Sequence, residues 1–101
     1  MRTADPITTR TLESLTPGRK QITVKWSGSK HFTGYQIQYA TDINFKQNAK
    51  QFKITDPKTY QTVLRGLSSG KVYYVRLRSY QEFEGMHYYG QWSNVLFTKT
   101  K

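Results

Sequence analysis

The sequence predicts an all-β protein, a seven-stranded antiparallel β-sandwich, on three observations. Short segments alternating apolar and polar residues recur along the 101-residue chain, separated by turn residues. No stretch carries the apolar period of a helix. The third is Leu67-Ser68-Ser69-Gly70-Lys71-Val72-Tyr73-Tyr74-Val75-Arg76-Leu77-Arg78-Ser79-Tyr80, where a leucine, a glycine turn and a tyrosine lead into a strictly alternating strand. Strand side chains repeat every two residues, so Val75, Leu77 and Ser79 share the face of Tyr73. Tyr74, Arg76, Arg78 and Tyr80 share the other. A tyrosine in that position marks a tyrosine corner, its ring at the end of the sandwich and its hydroxyl bonded back to upstream backbone.

Taken in order, residues 7–15 form a weak first strand that follows Pro6 and is closed by the turn pair Pro17-Gly18. Residues 21–26 alternate cleanly, with Ile22, Val24 and Trp26 opposed to Thr23 and Lys25, before the loop Ser27-Gly28-Ser29-Lys30-His31. Residues 35–41 alternate again, Tyr35, Ile37 and Tyr39 against Gln36 and Gln38, and residues 42–47 allow one helical turn. Residues 50–54 put Phe52 and Ile54 on one face ahead of the turn at Asp56-Pro57, and residues 60–64 offer Tyr60, Thr62 and Leu64. After the strand from Tyr73, a last one covers residues 92–98 with Val95 and Phe97 inward.

Composition narrows the possibilities. The length suits one domain, with residues 1–5 a tail or linker and residues 6–99 the folded part. With no cysteine, neither disulfides nor thiolate metal sites contribute, and 8 Tyr, 5 Phe and 2 Trp must supply the packing. A net charge of +10 draws the surface to polyanions. No apolar run is long enough to span a membrane, which predicts no membrane insertion, and the first residues lack the apolar segment of a signal peptide. If the parent protein is secreted, this chain is an internal piece of it.

The chain resembles a fibronectin type III domain, an immunoglobulin-like sandwich, over about residues 6–98. Trp26 at the end of the second strand resembles that family's core tryptophan, and Tyr35-Gln36-Ile37-Gln38-Tyr39 its third strand. The stretch from Leu67 to Ser79 resembles its Leu-x-Pro-Gly-x-x-Tyr-x-Val-x-Val-x-Ala signature, with Ser69 in place of proline and Ser79 in place of alanine. Gly34 to Tyr39, Asn44-Phe45-Lys46 and Tyr88-Tyr89-Gly90-Gln91-Trp92-Ser93 are similar to the basic, tyrosine-rich version in surface and secreted proteins of Gram-positive bacteria. The resemblance implies one sheet with the strands near Ile7, Ile22 and Thr62, and another with those near Ile37, Phe52, Leu77 and Val95. The buried set is then Ile22, Val24, Trp26, Tyr35, Ile37, Tyr39, Leu64, Leu67, Tyr73, Val75, Leu77 and Val95. Removal of Trp26 is expected to cost about 3–5 kcal/mol.

Several residues invite a functional reading. Gly90-Gln91-Trp92-Ser93 resembles half of the Trp-Ser-x-Trp-Ser element of cytokine receptors, where tryptophans stack between arginines of the next strand. Arg76 and Arg78 face outward within reach of Trp92, a contact read as a structural staple rather than a ligand site. The hairpin over residues 81–91 is the candidate binding surface, because Phe83, Met86, Tyr88 and Tyr89 stand where the pattern expects solvent. Candidate binding residues are Phe83, His87, Tyr88, Tyr89, Trp92 and His31. Trp26, Tyr35, Leu67, Tyr73, Arg76 and Arg78 are structural.

Other chemistries find little support. His31 and His87 share one end of this fold, yet no third ligand accompanies them, so no metal and no cofactor is expected. Glu82 and Glu84 are closely spaced acids, but a bare hairpin offers nothing to desolvate one of them, and no catalytic activity is expected. Basic residues lie on both sheets (Lys25 on one, Arg76 and Arg78 on the other), with Lys46, Lys50, Lys53 and Lys58 around the middle loops. Arg19, Lys20 and Lys71 flank turns. This dispersal is unlike the stripe of a specific nucleic-acid binder.

The expected role is a non-catalytic spacer or adhesion module of a larger secreted or cell-surface bacterial protein, monomeric, with neighbouring domains and anionic wall polymer or polysaccharide as partners. Two alternatives stand beside it: a specific carbohydrate or ligand binder using residues 83–92, and a charge-driven polyanion or nucleic-acid binder.

Overall fold

A computed structural model describes residues 12–27, 33–56 and 59–101. Strands β1 (Leu12–Gly18), β2 (Gln21–Trp26) and β5 (Gln61–Leu64) form one antiparallel sheet in the order β1-β2-β5. The facing sheet contains β3 (Gly34–Ala40), β4 (Lys50–Ile54), β6 (Val72–Phe83), β7 (Met86–Tyr89) and β8 (Leu96–Lys99). Its order is β4-β3-β6, and β6 takes β8 along its first half and β7 along its second.

The alternation in β2, β3 and β6 does what a half-buried strand requires. Ile22, Val24 and Trp26 point into the sandwich from one sheet, and Tyr35, Ile37, Tyr73, Val75 and Leu77 from the other. The Trp26 and Tyr35 rings meet edge to face, with centroids 5.6 Å apart. Leu64 and Leu67 close the core, and Tyr39, Phe52 and Ile54 pack against it half-exposed. Glycine is required at position 34, because a Cβ there would overlap the Ile54 carbonyl oxygen across the β3–β4 pair. At the far end of the core the Tyr73 hydroxyl accepts the Ser68 amide N–H at 2.8 Å, tying the β5–β6 connection to the strand.

Four expectations need correction. The strands number eight among the described residues, because the return arm of the hairpin, β7, is a strand of its own. The first strand runs on through Pro17 and Gly18, paired with Ile22 and Gln21, so the turn falls at Arg19-Lys20, where Lys20 takes φ 57°. Proline is tolerated in β1 because β1 is an edge strand. Positions before Leu12 in the expected first strand lie outside the described residues. Residues 42–47 form turns and no helix.

The fourth correction is the phase of the last strand. Val95 is 39% and Phe97 66% exposed, and the residue turned toward the core is Leu96. The Ser93 amide donates to the Leu77 carbonyl at 2.7 Å, while the Ser93 hydroxyl accepts the Leu77 amide at 3.0 Å in place of a backbone carbonyl. Two residues further along β6, Val75 pairs with Leu96 rather than residue 95. Asn94 and Val95 therefore oppose Arg76 alone, and such a bulge exchanges the faces of everything beyond it. Asn94, at the bulge, reaches the opposite sheet: its side-chain oxygen accepts the Leu12 amide at 2.9 Å and its amide donates to the Leu12 carbonyl at 3.2 Å.

Candidate binding surface

The outer face of β6 presents Tyr74, Arg76, Arg78 and Tyr80 in a row, because alternate residues share a face. Gln36 and Gln38, opposite them on β3, fix the two arginines: Arg78 Nε donates to Gln36 Oε1 and Arg76 Nε to Gln38 Oε1, both at 2.7 Å. Those bonds set the guanidinium planes, and aromatic rings fill the gaps between them. Arg76 lies 4.2 Å from the Phe45 ring centroid and 4.2 Å from that of Trp92. Arg78 lies 4.3 Å from Trp92 and 3.9 Å from Tyr89. Lys53 Nζ then sits 5.8 Å from Tyr89 and 4.9 Å from Tyr80. The result is one continuous stack, Phe45–Arg76–Trp92–Arg78–Tyr89–Lys53–Tyr80, drawn from three strands and two connections.

Two local devices build it. Just ahead of the bulge, Ser93 is buried and its neighbour Trp92 faces outward onto the arginines. At the other end, Asp42 organises the β3–β4 loop: its carboxylate accepts the amides of Gln47 at 2.7 Å, Lys46 at 2.8 Å and Asn44 at 3.2 Å. The Gln47 amide, foremost among these bonds, holds the Asp42 carboxyl below its ordinary value. The wrapped loop carries Phe45 at φ 57° and lays its ring, 7% exposed, over Arg76. Burial and, second, the like charge of Arg78 draw Arg76 below the usual arginine range; burial does the same at Arg78, opposed by Tyr89. Each guanidinium lies within 4.3 Å of two ring centroids.

Beyond the sandwich, β6 and β7 continue as a two-stranded hairpin closed by Glu84-Gly85, both at positive φ (51° and 79°), the backbone of a tight primed turn. The pairing separates the hairpin candidates onto two faces. Tyr89 pairs with Tyr80 and His87 with Glu82 on the outer face, where the His87 and Tyr89 rings stack at 6.2 Å and cover Tyr80 to 2% exposure. His87 Nε2 is 4.0 Å from the Glu82 carboxylate. Tyr88 pairs with Gln81 and Phe83 with Met86 on the opposite face. There Phe83 (59%), Met86 (57%) and Tyr88 (46%) are exposed, and the buried Gln81 Oε1 has no hydrogen-bond partner among the described residues.

His31 lies outside the described residues. Among the described residues no group of three His, Cys, Asp or Glu side chains is placed to hold a metal ion, and no helix is long and apolar enough to cross a membrane. Phe45, Lys53 and Tyr80 belong to the stack without having been singled out from sequence. The signal for Phe45 was Asp42 just past a strand, a residue type that bonds amides a few positions on.

The family model of the fibronectin type III domain matches residues 5–99. The chain belongs to that family. Among solved structures, the fibronectin type III domain superimposes on the FN1–FN3 domains of chicken CNTN1 with a TM-score of 0.75 at 23% identity, over 92% of this chain and 30% of that one. It matches the FN5 domain of Drosophila Lar with TM-score 0.68 at 18% identity, covering 93% and 96% of the two chains. A β-1,2-glucanase from Parabacteroides distasonis gives TM-score 0.73 at 14% identity, over 93% of this chain and 12% of the glucanase. The chain thus spans only a small part of the glucanase and about a third of the CNTN1 chain. No curated protein sequence matches it. Fibronectin type III domains are in general non-enzymatic modules of larger proteins.

Proposed function

We propose that this fibronectin type III domain is a spacer or adhesion module of a larger secreted or cell-surface bacterial protein, holding its neighbours in line. The observation that carries this reading is where the chain joins the sandwich. The described part of β1 runs from Leu12, which pairs with Trp26 at the hairpin end. β8 finishes at Lys99 opposite Val72, and the Lys101 amide donates to the Gly18 carbonyl at the other end. Connections at opposite ends favour stacking in series, and the doubly stacked arginines stiffen the face that runs between them.

The hairpin supports a second reading. Exposed Phe83, Met86 and Tyr88 suit the apolar face of a sugar ring. Amide shifts of the labelled domain, titrated with solubilised bacterial wall polysaccharide at low and moderate salt, separate the two. A spacer gives no shifts, or scattered ones at Lys and Arg that vanish with salt. Shifts confined to Phe83, Met86 and Tyr88, surviving salt and lost in Tyr88→Ala, give the function to the hairpin.

A further inference from the structure

At the end of the sandwich opposite the hairpin, the β3–β4 loop, the start of β4 and the β5–β6 connection enclose a cleft of about 360 Å³. Its walls carry Lys50, Arg65 and Lys71, with Tyr39, Asn48 and Ser68 between them, and no carboxylate is among the residues lining it. We propose that this cleft is a binding site for an oxyanion-bearing saccharide unit, the acid group held by Lys50, Arg65 and Lys71 and the ring by the tyrosine and amide side chains.

No carboxylate among the described residues pairs with these cations. Asp42 stands on the loop that forms one wall and keeps its charge, but its carboxylate faces the amides of Gln47, Lys46 and Asn44 and is not among the groups lining the cleft. Arg65 Nη1 donates to the neutral Gln21 Oε1 at 3.1 Å. Among the described residues none of the three cations has a carboxylate within ion-pair distance. Three exposed cations around one concavity repel one another, and an oxyanion between them relieves that repulsion while accepting charge-assisted hydrogen bonds.

The walls are also fixed in advance. The Leu67 amide bonds to the Lys20 carbonyl at 3.1 Å, the Ser68 amide to the Tyr73 hydroxyl at 2.8 Å, and the Lys71 amide to Thr100 Oγ1 at 3.1 Å. Across the cleft, the Thr41 amide bonds to the Gln47 carbonyl at 3.0 Å. Little backbone ordering is left for a ligand to impose; the cost that remains is that of fixing the exposed lysine and arginine side chains. Tyr39 titrates above its ordinary value, through burial first and Tyr73 second, and its hydroxyl, protonated as in any tyrosine at neutral pH, can donate. The volume lies in the range of small-molecule sites rather than of a single ion. The cleft is separate from the hairpin, and its use does not depend on whether the module is a spacer.

The test is an amide-shift titration at physiological ionic strength with three probes: a galacturonate trimer, neutral maltotriose and inorganic phosphate. The expected result is saturable shifts at Thr41, Asn48, Ser68 and Lys71 with the trimer, none with maltotriose, and weaker ones with phosphate. Lys71→Ala and Lys50→Ala should each lower trimer affinity about tenfold. Lys25→Ala, which removes the same charge from the exposed side of the other sheet, should change it less than about twofold. All three side chains are exposed, and unchanged shifts elsewhere report an intact fold. Equal losses in the Lys25 and Lys71 variants, shifts scattered without saturation, or no shifts overturn the proposal. Phosphate binding as tight as the trimer's overturns its saccharide part.

Discussion

Trp92→Ala removes the ring shared by Arg76 and Arg78, and its cost follows from contacts already described. Two guanidinium–ring contacts at 4.2 and 4.3 Å, each half-buried, contribute about 1 kcal/mol apiece. Half of a tryptophan's surface, roughly 100 Å² taken out of water, adds about 2 kcal/mol at 25 cal/mol per Å². The expected destabilisation is therefore about 3–5 kcal/mol once the relaxation of two like charges is included, a large share of a small domain's stability. Urea unfolding is the assay, and the variant leaves Trp26 as the single tryptophan reporting on the core. A double-mutant cycle with Arg78→Leu isolates the stack itself, with an expected coupling of about 1 kcal/mol. Coupling within about 0.3 kcal/mol of zero would refute the argument and leave Trp92 as mere apolar cover.

Other perturbations test separate joints of the fold. Tyr73→Phe loses the bond from the Ser68 amide and should cost about 1 kcal/mol, lowering Tm by roughly 4–8 °C in calorimetry. Leu96→Ala should cost about 2 kcal/mol and Val95→Ala under about 0.5, the reverse of what unbroken alternation implies; thermal melts of the pair decide the bulge. The Asp42 carboxyl is held below its ordinary 3.8, so its contribution is complete above that pH and fades as pH falls through the folded value. An acid titration should therefore release the Lys46 and Gln47 amide shifts below about pH 4. Asp42→Asn should abolish that transition.

The strands and most of the core were legible because one face of β2, β3 and β6 is buried and the other wet, which writes a two-residue period into the sequence; which strands share a sheet followed from the family resemblance and not from that period. Val95 was misplaced because a bulge adds a residue without changing composition. The hairpin over residues 81–91 was legible, but its return arm, β7, does not read as a separate strand because all four of its residues, Met86 to Tyr89, are exposed and neither face leaves a pattern. The outward row Tyr74, Arg76, Arg78 and Tyr80 could be read directly, and so could a reach from Trp92. The far end of the stack could not, since the position of Phe45 depends on three backbone bonds to Asp42 rather than on periodicity. The division of Phe83 and Tyr88 from His87 and Tyr89 needed the hairpin register, which a turn of Glu84-Gly85 fixes only once both residues are known to take positive φ.

The two-way bond between Asn94 and the backbone of Leu12 has a mechanical consequence. If tension enters through the first strand and leaves through the last, as serial linkage demands, β1 and β8 are pulled in opposite directions. The Asn94 amide joins the segment before β8 to the first residue of β1, and the Lys101–Gly18 bond joins the opposite extremity of the same two strands. Both clasps, together with the β1–β2 ladder, are then loaded side by side in shear rather than opened one after another like a zipper. A domain clasped in this way yields abruptly, at a force set by several bonds breaking at once, and Asn94→Ala would lower that force while leaving the core intact.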